Sequence, residues 1–180
     1  MLERLLIEHC APTLAGLKTA NLLRQPHSGA LEKEVAHWDS ILRQKGVRVQ
    51  ILRGPGDSAL IYAYRKERLL RDLMQPGAQE FLTRYGYPEN VEGCLERLQE
   101  RMQEASGFPH EIGLFLGYPL GDVIGFIQHG GKHCKCTGCW KVYCDKQEAQ
   151  RQFARLRKCK EVYQRLYQSG TPVMKLTVNA

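Results

Sequence analysis

The stretch VRVQILRGPGDSALIYAY, residues 47–64, decides the predicted fold. Val47, Val49 and Ile51 alternate with polar residues, and a second apolar and aromatic run follows the glycine- and proline-rich centre. Two such runs joined by a short turn are typical of a β-hairpin. The central Gly-Pro-Gly lacks the Gly-Lys-Ser/Thr ending and the following helix of a phosphate-binding loop, so we expect an ordinary turn.

Helices are predicted on either side of the hairpin. Leu31, Val35, Trp38 and Leu42 recur at spacings of three and four residues, which indicates an amphipathic helix that ends at Gly46. Similar signals predict helices over 66–74, 78–85 and 91–105, short helices beginning at Pro109 and Pro119, and a long helix over 146–168 that Asp145 caps.

Two further strands, over 140–143 and 175–178, complete the predicted sheet. We therefore predict one α+β domain over residues 1–180, in which a small, mainly antiparallel sheet is covered by helices. A chain of 180 residues suits a single domain. The cysteine-rich, basic segment 131–180 is expected to be part of the same domain.

The composition, with 43% hydrophobic and 25% charged residues, is that of a soluble globular protein. The longest apolar region, residues 112–127, contains Pro119 and Asp122 and does not resemble a membrane span. The first eight residues include Glu3, Arg4 and Glu8, unlike a signal peptide. These features predict a cytoplasmic protein with no membrane association. Seven cysteines, an odd number, argue against a fully paired disulfide framework.

The net charge of +7 is concentrated towards the C-terminus. Residues 131–180 contain 11 Lys and Arg and 3 Asp and Glu, a net of +8, whereas residues 1–130 contain 15 and 16, a net of −1. At 100° per residue, one face of the long helix carries Arg151, Arg155, Lys158 and Arg165. Such a face can bind an anionic ligand or an acidic protein partner, with nucleic acid less favoured; a solvated helix face is the simpler alternative.

Four cysteines lie in GGKHCKCTGCWKVYCD, residues 130–145. His133, Cys134, Cys136 and Cys139 are close enough in sequence to bind one zinc ion or hold an iron–sulfur cluster. Their spacing differs from the two separated C-x2-C pairs of a zinc ribbon. Thiol redox chemistry is therefore an alternative hypothesis, and the absence of any special role is another.

The fourth cysteine, Cys144, fits this set poorly. If residues 140–143 form a strand, Cys139 and Cys144 are separated by roughly 16 Å along it, far more than two ligands of one zinc ion. A metal site would then need His133, an open position, or a distant residue such as Cys10.

A cysteine-dependent enzyme is a rival hypothesis. Pro12 suits the first position of a helix, which would place Cys10 beside the positive end of the helix dipole and lower the pKa of its thiol. Cys10 would act as nucleophile, His110 as base, and Glu111 or Asp122 as the group that orients the histidine. A small buried thiol is the simpler interpretation of Cys10.

Four parts of the chain are distinctive: HCAPTLAGLK (residues 9–18), PHEIGLFLGYPLGDVIGFI (109–127), WKVY (140–143) and the helix carrying Cys159 and Tyr163. Together they resemble an uncharacterised bacterial family of similar length, described only as a domain of unknown function. The resemblance implies a cytoplasmic protein of anaerobic bacteria, with no activity, substrate or cofactor to transfer.

The family-like segments draw attention to Cys10, Lys18, His110, Glu111 and Asp122, and we add Lys18 to the candidate anion-binding residues. The cysteines within 134–139 are denser than the family's usual pattern. The leading hypothesis is a cytoplasmic thiol- or metal-binding protein that uses residues 133–144. The alternatives are the cysteine-dependent enzyme and the binding of an anion or nucleic acid through the basic C-terminal helix.

Overall fold

The predicted hairpin forms two strands of a three-stranded antiparallel sheet. The computed structural model describes residues 1–53, 58–104 and 107–179, so the turn predicted within 54–57 lies outside the described residues. The strands are β1 (Ala20–Pro26), β2 (Val47–Arg53) and β3 (Ser58–Arg65), in the order β1-β3-β2. Ala20 of β1 lies opposite Tyr64 of β3, and on the other side of β3, Val47 of β2 lies opposite Arg65.

Helices precede, separate and follow these strands. They are α1 (Leu2–Leu14), α2 (Gly29–Leu42), α3 (Lys66–Leu73), α4 (Pro76–Thr83), α5 (Val91–Arg101), α6 (Ile112–Phe115), α7 (Leu120–Gln128), α8 (Lys146–Gln168) and α9 (Val173–Leu176). A short 3₁₀ helix, Arg43–Lys45, extends α2 up to Gly46. A separate two-stranded hairpin, β4 (Cys136–Thr137) and β5 (Lys141–Val142), lies between α7 and α8. The α+β class is therefore confirmed.

The two faces of the sheet pack against different groups of helices. Leu60, Tyr62 and Tyr64 lie in one core cluster with buried residues of α3 to α7. Ile61 and Ala63, which point the other way, lie in a second cluster with α1, α2 and α9. β3 is thus the centre of the sheet and is covered on both faces, which explains its nearly uninterrupted apolar sequence.

Three of the described helices, α2, α5 and α8, begin at a capping side chain, and the predicted cap of α8, Asp145, is confirmed. Ser28, Asn90 and Asp145 each accept a hydrogen bond from the backbone amide three residues later, at 3.1, 2.7 and 2.9 Å. Gly46 ends the 3₁₀ extension of α2 with a φ of 74°, as expected for a left-handed C-terminal residue. In the described part of the chain, no helix combines the length and apolar character needed to cross a membrane.

Several sequence-based boundaries were wrong. Pro12 does not begin a helix but lies inside α1 near its end, where it cannot donate the hydrogen bond to the carbonyl oxygen of residue 8. Strand β1 was missed. The segment 175–178 is not a strand, because Pro172 precedes a single helical turn, α9. The strand expected over 140–143 is reduced to β5 and pairs with β4, outside the main sheet.

Candidate functional site

Lys18 lies in the connection between α1 and β1 and is buried. The end of α1, just before this connection, is held by the guanidinium of Arg65, which donates hydrogen bonds to the carbonyl oxygens of Thr13, Leu14 and Val178 at 2.7, 2.6 and 2.9 Å. The same guanidinium therefore ties the end of α1 to the C-terminal segment. The backbone that carries Lys18 is held in place independently of the lysine side chain.

The ammonium group of Lys18 has an unusual environment. The residue is 8% exposed, and Nζ donates a hydrogen bond to the carbonyl oxygen of Ala20. Nζ also lies 5.1 Å from the centre of the Tyr118 ring, within the range of a cation–π contact. Burial lowers the pKa of Lys18 to about 8, an effect that the nearby thiols of Cys139 and Cys10 oppose and Lys160 increases.

A polar cavity of about 390 Å³, which we name the Lys18 cleft, opens beside this lysine. Its walls come from the α1–β1 connection, α3, the start of α4, the α6–α7 loop, the β4–β5 hairpin and α8. The lining residues are Leu17, Lys18, Thr19, Arg68, Asp72, Gln75, Ala78, Leu114, Gly117, Tyr118, Pro119, Leu120, Trp140, Glu148, Gln152, Arg155 and Leu156.

The cations of the Lys18 cleft have no carboxylate partners in the described ranges. Lys18, Arg68 and Arg155 are absent from the ion pairs of this part of the chain. Arg68 donates to the carbonyl oxygen of Gly16.

The two acidic residues of the lining already have partners. The carboxylate of Asp72 accepts a hydrogen bond from the hydroxyl of Thr19. Glu148 forms an ion pair with Arg151 at 2.7 Å and also accepts a hydrogen bond from Gln152 at 3.2 Å. Glu148 is therefore paired with a cation outside the lining, whereas Asp72 is hydrogen-bonded to a neutral hydroxyl and keeps its charge.

A second cavity, of about 220 Å³, also borders Lys18; we name it the thiol cavity. It is lined by His9, Pro12, Lys18, Asn21, Leu22, Leu116, Tyr118, Cys139, Leu156 and Lys160. Cys139 is exposed, and its carbonyl oxygen accepts a hydrogen bond of 3.1 Å from the hydroxyl of Tyr118. This cavity brings a cysteine of the 130–145 segment next to Lys18, although the two residues are far apart in sequence.

A stacked aromatic pair forms part of the wall of the Lys18 cleft. The rings of Tyr118 and Trp140 lie 5.1 Å apart at an interplanar angle of 28°, and Phe153 packs against Trp140 edge-on at 4.6 Å. The same pair also lines a mainly apolar cavity of about 330 Å³ that contains His110 and Phe126. The pair therefore stands between a polar cavity and an apolar one.

The cysteine-rich segment is positioned by Asp122, which is 3% exposed. One carboxylate oxygen accepts hydrogen bonds from the amides of Tyr143 and Cys144, both at 2.8 Å. The other accepts from the indole Nε1 of Trp140 at 2.8 Å. Asp122 thus fixes the β4–β5 hairpin to α7. This is a structural role, and it differs from the role of orienting a catalytic histidine that was considered for a thiol enzyme.

Two glycines of α7 allow the segment to pack closely. A Cβ atom at Gly121 would lie 2.4 Å from Sγ of Cys144, and one at Gly125 would lie 2.5 Å from the ring of Tyr143. Both distances are far below van der Waals contact. The spacing of four residues places the two glycines on one face of α7, so this face accepts the chain that follows β5.

The predicted metal ligands are not gathered into one set. All seven cysteines are free; Cys134 and Cys136 are half-buried, and Cys139 is exposed. Within residues 1–53, 58–104 and 107–179, no three His, Cys, Asp and Glu side chains are arranged to hold one metal ion. His133 has a φ of 59°, a conformation rare for a residue with a side chain. Binding of zinc or an iron–sulfur cluster by these residues stays a prediction.

The predicted catalytic residues lie in separate environments. Cys10 is inside α1 and fully buried among apolar residues, and this burial raises the pKa of its thiol to about 12. Glu111 is buried elsewhere, where it accepts hydrogen bonds from Tyr87 at 3.0 Å and Arg101 at 2.8 Å. His110 is exposed and borders the apolar cavity. The described residues show no contact that joins Cys10 to His110 or Glu111.

The basic face of α8 is divided. Arg151, Arg155, Lys158 and Arg165 are all exposed, but Arg155 is the member that lines the Lys18 cleft. The structure therefore brings together two of the predicted anion-binding residues, Lys18 and Arg155. Binding of an acidic protein or nucleic acid by the rest of the face stays a prediction.

Sequence reasoning did not single out Arg68, Tyr118 or Lys160 as parts of the site. Arg68 and Lys160 lie on ordinary amphipathic helices, and Tyr118 follows a glycine in a loop. Their only sequence signal is residue type, because the fold alone brings them close to Lys18.

The fold and cavities define an α+β protein with a cationic cleft next to a small cysteine-bearing hairpin. A family model described as "Protein of unknown function (DUF3793)" matches residues 6–177, and the chain belongs to this family. The resemblance seen in the sequence is thus confirmed. No curated protein and no solved structure matches the chain in the comparisons.

Proposed function

We propose that the protein binds a small anionic ligand, one that carries a phosphate or carboxylate group, in the Lys18 cleft. One observation carries this proposal. Lys18, Arg68 and Arg155 line the same cleft, and none of them has a carboxylate partner in the described ranges. The acids of the lining are engaged by Thr19 and Arg151. The lining thus carries three cations against two carboxylates, and Glu148 is paired with a residue outside the lining, so the cleft is net cationic.

The chemistry of these groups favours an anion. A buried ammonium group without a counter-ion raises the free energy of the folded protein, and a bound anion would offset this effect. Guanidinium groups such as those of Arg68 and Arg155 can each donate two parallel hydrogen bonds to a carboxylate or phosphate. A volume of about 390 Å³ also falls within the roughly 300–1,000 Å³ typical of small-molecule sites.

Trp140 lines the cleft and provides a probe for the experiment. The chain has two tryptophans, so in a Trp38→Phe background the emission reports on Trp140 alone. Titration with pyrophosphate in low-salt buffer should give a saturable change in emission. Arg155→Gln should weaken the apparent affinity about tenfold or more, because it removes a charged hydrogen-bond donor.

Arg165→Gln is the matched control, since it makes the same chemical change on an exposed part of α8 outside the cleft lining. It should leave the affinity for pyrophosphate nearly unchanged. Equal effects of the two substitutions would argue against the cleft as the binding site.

Thiol chemistry at Cys139 is a second candidate function. Cys139 is exposed, and it lines the thiol cavity together with Lys18 and Lys160. A small electrophile or disulfide could therefore reach its sulfur, and a cytoplasmic location would keep that sulfur reduced. Loss of reaction with a small disulfide in Cys139→Ser, with Cys144→Ser as the control, would support this function; equal reaction of both variants would eliminate it.

A further inference from the structure

Lys18 lines both the Lys18 cleft and the thiol cavity. Among the described residues, its nitrogen donates a hydrogen bond to the carbonyl oxygen of Ala20 and lies over the face of Tyr118. A lysine whose task was to neutralise a carboxylate would be expected to contact one. Lys18 instead lines two cavities, of about 390 and 220 Å³, and its nitrogen lies over the ring of Tyr118, which lines both as well.

The groups around Lys18 come from several elements. Cys10 on α1 and Cys139 after β4 are thiols that oppose its loss of a proton, whereas Lys160 on α8 is a cation that favours it. Arg68 and Arg155 are further cations, and Asp72 is an anion engaged with Thr19. His9 borders the thiol cavity as well. Burial remains the largest influence and acts against the charged form.

This environment makes the amine nucleophilic near neutral pH. With a pKa of about 8, about a quarter of Lys18 is neutral at pH 7.5, compared with roughly a thousandth of an ordinary lysine. A buried lysine close to other cations is a known way of preparing an amine for attack on a carbonyl carbon.

We propose that Lys18 forms an imine with a small aldehyde or ketone that carries a carboxylate or phosphate group. The charge of the ligand rests on the proposed function, because Arg68 and Arg155 are the groups placed to hold that anion. The carbonyl carbon would lie against Nζ, at the end of the cleft that Lys18 and Tyr118 form. The ligand class is thus an oxo acid or a phosphorylated carbonyl compound.

The reaction needs no oxidant or reductant. The lone pair of the neutral amine attacks the carbonyl carbon, a C–N bond forms, and the π electrons of the carbonyl take up a proton to give a carbinolamine. The nitrogen loses one proton to water as the carbinolamine forms. The hydroxyl then takes up a second proton and leaves as one water molecule, a C=N bond forms, and the nitrogen gives up its second proton to leave the neutral imine. The amine, the carbonyl compound, the imine and one water molecule therefore balance.

Trapping with sodium cyanoborohydride tests this inference on the full-length protein. Glyoxylate is the probe, and hydride reduction of its imine leaves a carboxymethyl group on the lysine, which peptide mass spectrometry locates. We expect Lys18 to be labelled about tenfold faster or more than the exposed Lys158, with half-maximal rate near pH 8. Labelling of Lys18 no faster than that of Lys158 would overturn the inference.

Two variants separate this inference from the proposed function. Lys18→Arg keeps a cation in the cleft, so it should still bind pyrophosphate while losing the label at position 18 and showing no faster labelling elsewhere. Arg155→Gln should slow labelling by glyoxylate but not by the neutral probe propanal. Pyrophosphate binding without preferred labelling would overturn the imine alone. If the preference for Lys18 over Lys158 is the same with glyoxylate as with propanal, the claim that the ligand is anionic is overturned, while the claim that Lys18 acts as a nucleophile is supported.

Discussion

The ammonium nitrogen of Lys18 lies 5.1 Å from the centre of the Tyr118 ring, and the hydroxyl of that tyrosine donates a hydrogen bond to the carbonyl oxygen of Cys139. Tyr118 therefore connects the buried lysine of the α1–β1 connection to the cysteine-rich segment. Lys18 and the cysteine-rich segment, residues 130–145, thus both contact Tyr118, which lies outside both stretches of sequence. This relationship leads to predictions about thiols, stability and charge.

Alkylation should distinguish the exposed thiols from the buried ones. Iodoacetamide at pH 8 should modify Cys139 at least about a hundredfold faster than Cys10, because Cys10 is fully buried and burial raises the pKa of its thiol to about 12. Peptide mass spectrometry after timed quenching gives the rates. Cys94, whose thiol has a pKa raised by burial to about 11, serves as a second slow site.

The role of Cys10 as a nucleophile depends on the same measurement. If Cys10 in the native protein reacts as fast as Cys139, the buried environment described for α1 is wrong and the cysteine-dependent enzyme regains support. Reaction of Cys10 only after addition of denaturant would agree with a core position.

Asp122→Ala should destabilise the protein strongly. The substitution leaves the indole N–H of Trp140 and the amides of Tyr143 and Cys144 without their acceptor, so we expect a loss of roughly 3 kcal/mol or more in the free energy of unfolding. Urea denaturation followed by circular dichroism gives this value. Glu161→Ala, at an exposed position on α8, is the control and should change it by less than about 0.5 kcal/mol.

The charge on Lys18 should make stability depend on pH in a predictable direction. Its folded-state pKa of about 8 is below the ordinary value of 10.5, so the unfolded chain binds more protons between these two values. The unfavourable contribution of the buried charge is therefore fully present below pH 8 and is relieved as the pH rises towards 10.5. Relative to Lys18→Met, the wild-type protein should gain up to roughly 3 kcal/mol between pH 7 and pH 10.

The comparison with Lys18→Met is necessary because Cys10 acts in the opposite direction. The pKa of its thiol is raised, so its contribution to stability is lost as the unfolded thiol ionises above about pH 9. Both proteins contain Cys10, and most of its effect cancels in the difference between their free energies of unfolding, because burial and not Lys18 is the main cause of its raised pKa. A difference that stays constant from pH 7 to pH 10 would contradict the buried state of Lys18.

Metal content tests the sequence-based set His133, Cys134, Cys136 and Cys139. If these residues bind zinc or hold a cluster, protein purified without oxygen should contain about one metal site per chain, and chelation should lower the melting temperature. Elemental analysis and thermal melting give both quantities. Less than ~0.2 metal per chain, with unchanged melting after chelation, would eliminate this hypothesis.

The sequence predicted elements whose signal is local. The two strands of the predicted 47–64 hairpin and the cap of α8 at Asp145 follow from alternation and from a single polar residue, and the described residues contain both. Strand β1, with the sequence ANLLRQP, lacks β-branched residues and is fixed by pairing with β3 instead. The segment 175–178 has β-forming residues, yet Pro172 and burial of Val173 and Leu176 produce a helical turn.

The sequence predicted only part of the candidate site, because the residues of the site are brought together by tertiary packing and not by local sequence. Lys18, Arg68 and Arg155 are on three elements, and no local spacing relates them. Lys18 and Arg155 were predicted separately, one through the family resemblance and one through the basic face of α8. Their common cleft depends on how α8 and the hairpin pack beside α1, which is a property of the fold.

Isothermal titration calorimetry with pyrophosphate at low ionic strength tests the central claim, anion binding in the Lys18 cleft, most directly. We predict saturable binding of one ion per chain to the wild-type protein, an affinity about tenfold or more lower for Arg155→Gln, and no comparable change for Arg165→Gln. Absence of measurable heat with the wild-type protein, or equal weakening by the two arginine substitutions, would contradict the claim.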